Sequence, residues 1–167
     1  QSRIRVPGVL QRIALCYFFT SILLMYSGIR GRVLWAAGLV IFYWIIYKTV
    51  APPASFTAEV VSPDGLLHEW IDQLLLGSHL YRERPDPEGL LSTLPAIATT
   101  LAGVLTGNWI MSPRDLKEKI AGMFFVANLA LFAGICMDYS IPINKKIWTS
   151  SYVVFTAGMA LHFLAMC

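Results

Sequence analysis

Asp86-Pro87-Glu88-Gly89-Leu90-Leu91-Ser92-Thr93 opens an apolar run that continues to Ile110. About 20 apolar residues is the length a helix needs to cross the hydrocarbon of a bilayer. Carboxylates are costly there, so a membrane helix keeps them at its end or in a polar cavity. The junction of Asp86 and Glu88 with this run therefore reads as the mouth of a transmembrane helix and as a place where a membrane protein could hold chemistry.

The rest of the chain has the same character. Of its 167 residues, 56% are hydrophobic and 14% charged, where a soluble domain has about 25% charged residues. Mean hydropathy is +0.61. The net charge of +3 is small and scattered, which leaves no nucleic-acid footprint. Cys16, Cys136 and Cys167 lie in apolar runs without CxxC spacing and read as small buried side chains. The first residue is Gln1, and Cys167 falls inside an apolar run. The expectation is an internal fragment of one longer membrane domain covering 1–167, with helices missing at both ends.

The pattern predicts an all-α, multi-pass transmembrane bundle. Five spans are expected, near Val9–Ser27, Val33–Val50, Leu90–Ile110, Ile120–Tyr139 and from Trp148 onward. With no water at that depth, each backbone amide must pair within its own segment, and helices do this. Gly28-Ile29-Arg30-Gly31-Arg32 reads as a tight basic turn. Ser112 and Pro113 read as N-cap and first residue of the fourth span. The long loop from Ala51 to Pro87 contains an expected amphipathic helix from Leu66 to Leu76, stopped by Gly77. Leu67, Trp70, Ile71, Leu74 and Leu75 form one stripe of it, with His68, Glu69, Asp72 and Gln73 mostly opposite, as in an interfacial helix capping a bundle. Counting Lys and Arg by the positive-inside rule would put the long loop in the cytoplasm.

Several polar groups could carry chemistry. Asp86 and Glu88 read either as caps at the start of the third span or as a base or ligand for an amino or sugar group. Ser92 and Thr93 could line the same wall. Asn144-Lys145-Lys146-Ile147-Trp148 starts the fifth span on the same side. Lys145 could pair with those acids or hold an anionic group. Trp148 and Tyr152 read as a sugar-stacking pair or as an interface anchor. Gln11 and Arg12 sit at the start of the first span, where a charge needs a partner, an aqueous cavity or a route to the headgroups. His162 reads mainly as a neutral side chain bonded to a backbone carbonyl. His68, Asp72 and His79 are too loosely spaced for a metal site, and no metal is expected. Thr99, Gly103 and Gly107 form a small-residue stripe for close helix contact, and Asn128 suggests an interhelical hydrogen bond.

Four segments, taken in order, resemble a known group: Arg5-Val6-Pro7-Gly8-Val9-Leu10-Gln11-Arg12-Ile13; Ile71-Asp72-Gln73-Leu74-Leu75-Leu76-Gly77 with His79-Leu80-Tyr81; Asp86 to Thr93; and Ile143 to Tyr152. They resemble the heparan-alpha-glucosaminide N-acetyltransferase family and its bacterial relatives. The resemblance implies an integral membrane acetyltransferase that moves acetyl from acetyl-CoA to the amine of a glucosamine-type sugar. It implies the bilayer and an amino-sugar acceptor as partners, with a homodimer as one arrangement, and acetyl-CoA as co-substrate. It places the protein in a bacterial inner membrane with loop 51–87 on the periplasmic side, against the charge count. The family's catalytic histidine lies upstream of Arg5-Val6-Pro7-Gly8, so no catalytic residue is assigned and the fragment alone is expected to be inactive. The resemblance carries over an acceptor-side wall of Gln11, Arg12, Asp86, Glu88, Asn144, Lys145 and Trp148. A different class, an amino-sugar transporter or permease component, would use the same cavity with alternating access.

Overall fold

The computed structural model describes residues 8–53, 66–76 and 89–167. These residues form six helices and no strand: α1 Val9–Tyr26, α2 Ile29–Thr49, α3 Leu66–Leu76, α4 Leu90–Ile110, α5 Leu116–Asp138 and α6 Ser150–Met166. Helices α1, α2, α4 and α5 are long and apolar enough to cross a membrane. The expected fifth span is the shorter α6, whose 17 residues rise about 26 Å, a few ångströms under the hydrocarbon thickness.

Helix α4 is the hub. Nearly half of it (44%) is buried, against 6–17% for the other three long helices, and it packs against α1, α2, α3 and α6. Its inward face, Ala96, Ile97 and Leu101, meets Cys16 of α1, with Leu23, Ala36 and Leu39 around them. A second core forms where Leu91 of α4 meets Tyr43 of α2 and Leu67 of α3. The outer faces carry Phe18, Phe42, Phe125, Phe132 and Phe163, all exposed, which suits a lipid surround.

The turns between helices depart from two expectations. Helix α2 starts at Ile29, inside the basic turn, and Arg32 donates back to the carbonyls of Ser27 and Leu24, both at 3.0 Å. These accept at the end of α1, where carbonyls lack intrahelical partners. Ser112 is not the N-cap of α5: its hydroxyl donates to Trp109 O at 2.6 Å, and α5 begins after Asp115. Pro113 and Arg114 therefore belong to the turn, where Arg114 stacks on the Trp109 ring at 4.8 Å.

Among the described residues, the small-residue stripe on α4 makes no close helix contact at its glycines. A Cβ added at Gly103 or Gly107 would meet nothing within 4 Å. The close crossing is between α5 and α6 instead. A Cβ at Gly134 would stand 2.8 Å from Phe155 Cα, and one at Gly158 would stand 2.9 Å from Ala127 O. Asn128 makes an intrahelical bond, donating to Phe124 O at 2.8 Å, and not an interhelical one. Gly134→Val is expected to cost about 2 kcal/mol by overpacking against a backbone that cannot move aside. Gly103→Val should be close to neutral. Thermal unfolding midpoints of the two variants in detergent check this.

Candidate functional site at the α4 entrance

The start of α4 is built by α3. Asp72 of α3 accepts a hydrogen bond from Leu90 N at 3.0 Å, supplying one of the acceptors that the first turn of a helix lacks. The approach is so close that a Cβ at Gly89 would lie 2.0 Å from Asp72 Oδ2. Position 89 is glycine because the carboxylate occupies the space a side chain would need. Ser92 and Thr93 then turn their hydroxyls back to Gly89 O at 2.9 and 3.1 Å.

The amphipathic helix is where expected, but burial follows its length and not its stripe: Leu67, Trp70 and Ile71 pack inward beside the polar residues, and the C-terminal Leu74 and Leu75 face out. Leu67, His68, Glu69 and Asp72 are buried, whereas Leu74 is 70% and Leu75 63% exposed. The expectation placed His68, Glu69, Asp72 and Gln73 mostly opposite the apolar stripe. The end of the bundle offers partners to these polar residues, so His68, Glu69 and Asp72 are buried with the first half of the stripe, and exposed Leu74 and Leu75 suit a lipid surround.

His68 meets Tyr43 of α2, with Nε2 2.9 Å from Tyr43 Oη, and Tyr43 donates onward to Ile147 O at 3.2 Å. A carbonyl only accepts, so the tautomer that satisfies both contacts gives the phenolic proton to Ile147 O and has His68 donate from Nε2, with a lone pair on Nδ1. That atom is buried and has no hydrogen-bond partner among the described residues. Burial pushes the His68 pKa down from 6.5 to about 4. Between those two values the unfolded chain holds a proton that the folded chain refuses. Stability must therefore fall as pH drops from about 6.5 to about 4 and be insensitive to His68 above that window. Acidification should lower the thermal midpoint through this window, and His68→Gln should flatten that part of the profile.

Ile147 leads into Trp148, which among the described residues is the non-glycine residue with φ in the left-handed region, at 54°. Such a backbone costs about 1–3 kcal/mol and needs surrounding contacts to hold it. Trp148 has them: its indole Nε1 donates to Thr99 of α4 at 3.2 Å, its ring meets Tyr152 edge-on at 5.3 Å, and the Arg12 guanidinium lies 4.4 Å from the ring centroid. Arg12 also donates to Ser92 O at 3.0 Å. The next residue, Thr149, caps α6 by accepting from Tyr152 N and donates to Pro142 O at 3.0 Å. Ser150 donates to Val40 O of α2 at 2.7 Å.

These contacts close a ring around one end of the bundle. It runs from His68 (α3) to Tyr43 (α2), Ile147, Trp148, Arg12 (α1), Ser92 and Leu90 (α4), and back to Asp72 (α3). Buried polar groups are kept only when paired, and a cooperative set of them fixes one geometry.

Of the expected wall residues, Arg12 and Trp148 are brought together, with Ser92 beside them. Gln11 is exposed on α1, with its amide folded toward Gly8. Lys145 is exposed, and Asn144 Oδ1 accepts from Lys146 N at 2.9 Å, so it shapes the turn. Asp86, Glu88 and His79 lie outside the described residues, as do the loop around α3 and most of the Arg5-to-Ile13 segment's start. Among the described residues, the carboxylate at the α4 entrance is Asp72. Trp148 is half-buried, with its indole N–H and one ring face engaged. His162 bonds Gly158 O at 3.1 Å and meets Phe124 edge-on, as the plain reading expects. Among the described residues no group of three His, Cys, Asp or Glu could hold a metal ion. Sequence reasoning missed Tyr43 as a polar residue. The available signal was His68 and Asp72 four apart on one helix face, each too costly to bury without partners.

No family profile matches the chain. Its four long apolar helices are those of an integral membrane protein. Heparan-alpha-glucosaminide N-acetyltransferase of Mus musculus is 26% identical over 97% of this chain, and that of Homo sapiens is 24% identical over the same share. The chain is thus a distant relative of these acetyltransferases, and it spans about a third (32%) of their length.

Proposed function

We infer that the chain is part of a membrane acetyltransferase and builds the acceptor end of its site. In this reading, acetyl passes from acetyl-CoA to the amine of a glucosamine-type sugar. The observation that carries it is the similarity to two acetyltransferases along 97% of the chain. Both relatives are transferases, so the permease reading has no support from them.

The polar ring suits such chemistry. In acetyl transfer the amine nitrogen attacks the thioester carbonyl, the C–N bond forms, the C–S bond breaks, and CoA leaves as its thiolate. The nitrogen sheds a proton, which the leaving thiolate or a nearby base takes. An ammonium cannot attack, so the site must hold the amine in its neutral form. Arg12, fixed by Trp148 and Ser92, provides a preorganised cation for an anionic group of donor or acceptor. Gln11, Asn144, Lys145, Asp86 and Glu88 complete the proposed wall. The reading puts the protein in a bacterial inner membrane, with loop 51–87 on the periplasmic side.

Membranes containing the full-length protein should transfer labelled acetyl from acetyl-CoA to glucosamine. Absence of label on any amino sugar, with protein shown to be folded, would end this reading.

A further inference from the structure

We propose that His68 is a positioning residue for this site, acting through Tyr43 on the Ile147–Trp148 turn and thereby on Arg12. The inference deepens the acetyltransferase reading and rests on it for its kinetic arm alone.

Three observations carry it. His68 is entirely buried, yet among the described residues it makes one hydrogen bond only, to Tyr43. Leaving the other ring nitrogen unpaired is unfavourable, so packing alone would be better served by an apolar side chain. Tyr43 spends its proton on Ile147 O, the carbonyl next to the one non-glycine backbone in the left-handed region among the described residues. And Trp148 holds the Arg12 guanidinium face-on while bonding Thr99. A donor at His68 Nε2 makes Tyr43 Oη an acceptor and so commits its proton to Ile147. Without that donor the hydroxyl is free to rotate away, and the strained turn loses a restraint.

The conservative replacement follows from the geometry. A glutamine places an amide N–H near the position of Nε2 and carries no titratable group, whereas leucine offers neither donor nor acceptor. The readout is the indole Nε1–H resonance of Trp148 in nitrogen-15-labelled full-length protein in detergent, assigned by its loss in Trp148→Phe. His68→Leu and Tyr43→Phe should both shift it, and His68→Gln should leave it close to the wild-type position. If His68→Leu fails to fold, Tyr43→Phe, which removes one hydroxyl, still decides. In the acetyl-transfer assay, KM for the amino sugar should rise about tenfold in His68→Leu and return to within about threefold of wild type in His68→Gln, with kcat much less affected. An indole resonance unmoved by Tyr43→Phe, or moved equally by glutamine and leucine, would overturn the proposal. A moved and glutamine-rescued resonance supports it even where no acetyl transfer is found, which would count against the acetyltransferase reading instead.

Discussion

Gly89→Ala should detach α3 from α4 and destabilise the protein by about 3 kcal/mol. The added Cβ would lie 2.0 Å from Asp72 Oδ2, far inside contact distance, so the carboxylate must withdraw. Withdrawal breaks its bond to Leu90 N, and a hydrogen bond to a charged group is worth about 1.5–3 kcal/mol. It also displaces an acid that is almost fully buried, which adds to the cost. The backbone conformation at residue 89 is not the obstacle: its φ of −59° is open to any residue. Asp72→Ala in the same background is the informative partner. Removing the carboxylate makes room for the methyl group, so the double variant should be less destabilised than the sum of the two single ones. Thermal unfolding of the four proteins measures this coupling. Additive losses would show that the clash is not the cause.

Arg12→Met is expected to give the largest functional loss, about 10- to 100-fold in kcat/KM under the proposed acetyl transfer. Methionine can fill much of the volume but neither donates to Ser92 O nor presents a cation to Trp148. A lost charge-assisted bond of about 2 kcal/mol corresponds to roughly a 30-fold change in rate if felt fully in the transition state. Arg12→Lys separates charge from shape. It keeps the positive charge but lacks the planar fork that stacks on the indole while reaching a carbonyl. It should therefore recover only part of the activity. Full activity in Arg12→Lys would place the role of Arg12 in charge alone, and full activity in Arg12→Met would remove it from the site.

The long helices were legible because hydrocarbon permits few solutions: an apolar run of bilayer length has to be a helix. The start of α4 follows from the breaker at Gly89. The site was legible in part. Arg12 stood out because an intramembrane cation is uncommon, and Trp148 because it follows the polar Asn144-Lys145-Lys146 stretch at the start of an apolar run. Tyr43 did not, since a tyrosine in a membrane helix is usually an interfacial residue and its polarity is visible only once His68 lies beneath it. The burial of His68, Glu69 and Asp72 was hidden for a related reason: a hydrophobic stripe tells which side is apolar but not whether the polar side also meets protein. Gly103 and Gly107 misled because small-residue spacing marks where a helix could come close, whereas Gly134 and Gly158, on separate helices, are where two do.

The crossing at Gly134 and Gly158 has a consequence for biosynthesis. Helix α5 owes its extensive packing to α6, the segment made directly after it, and α6 by itself is a short apolar stretch. The two form a natural hairpin for delivery into the bilayer as one unit. A nascent chain halted before Ser150 would leave α5 without its mate, exposed to quality-control proteases.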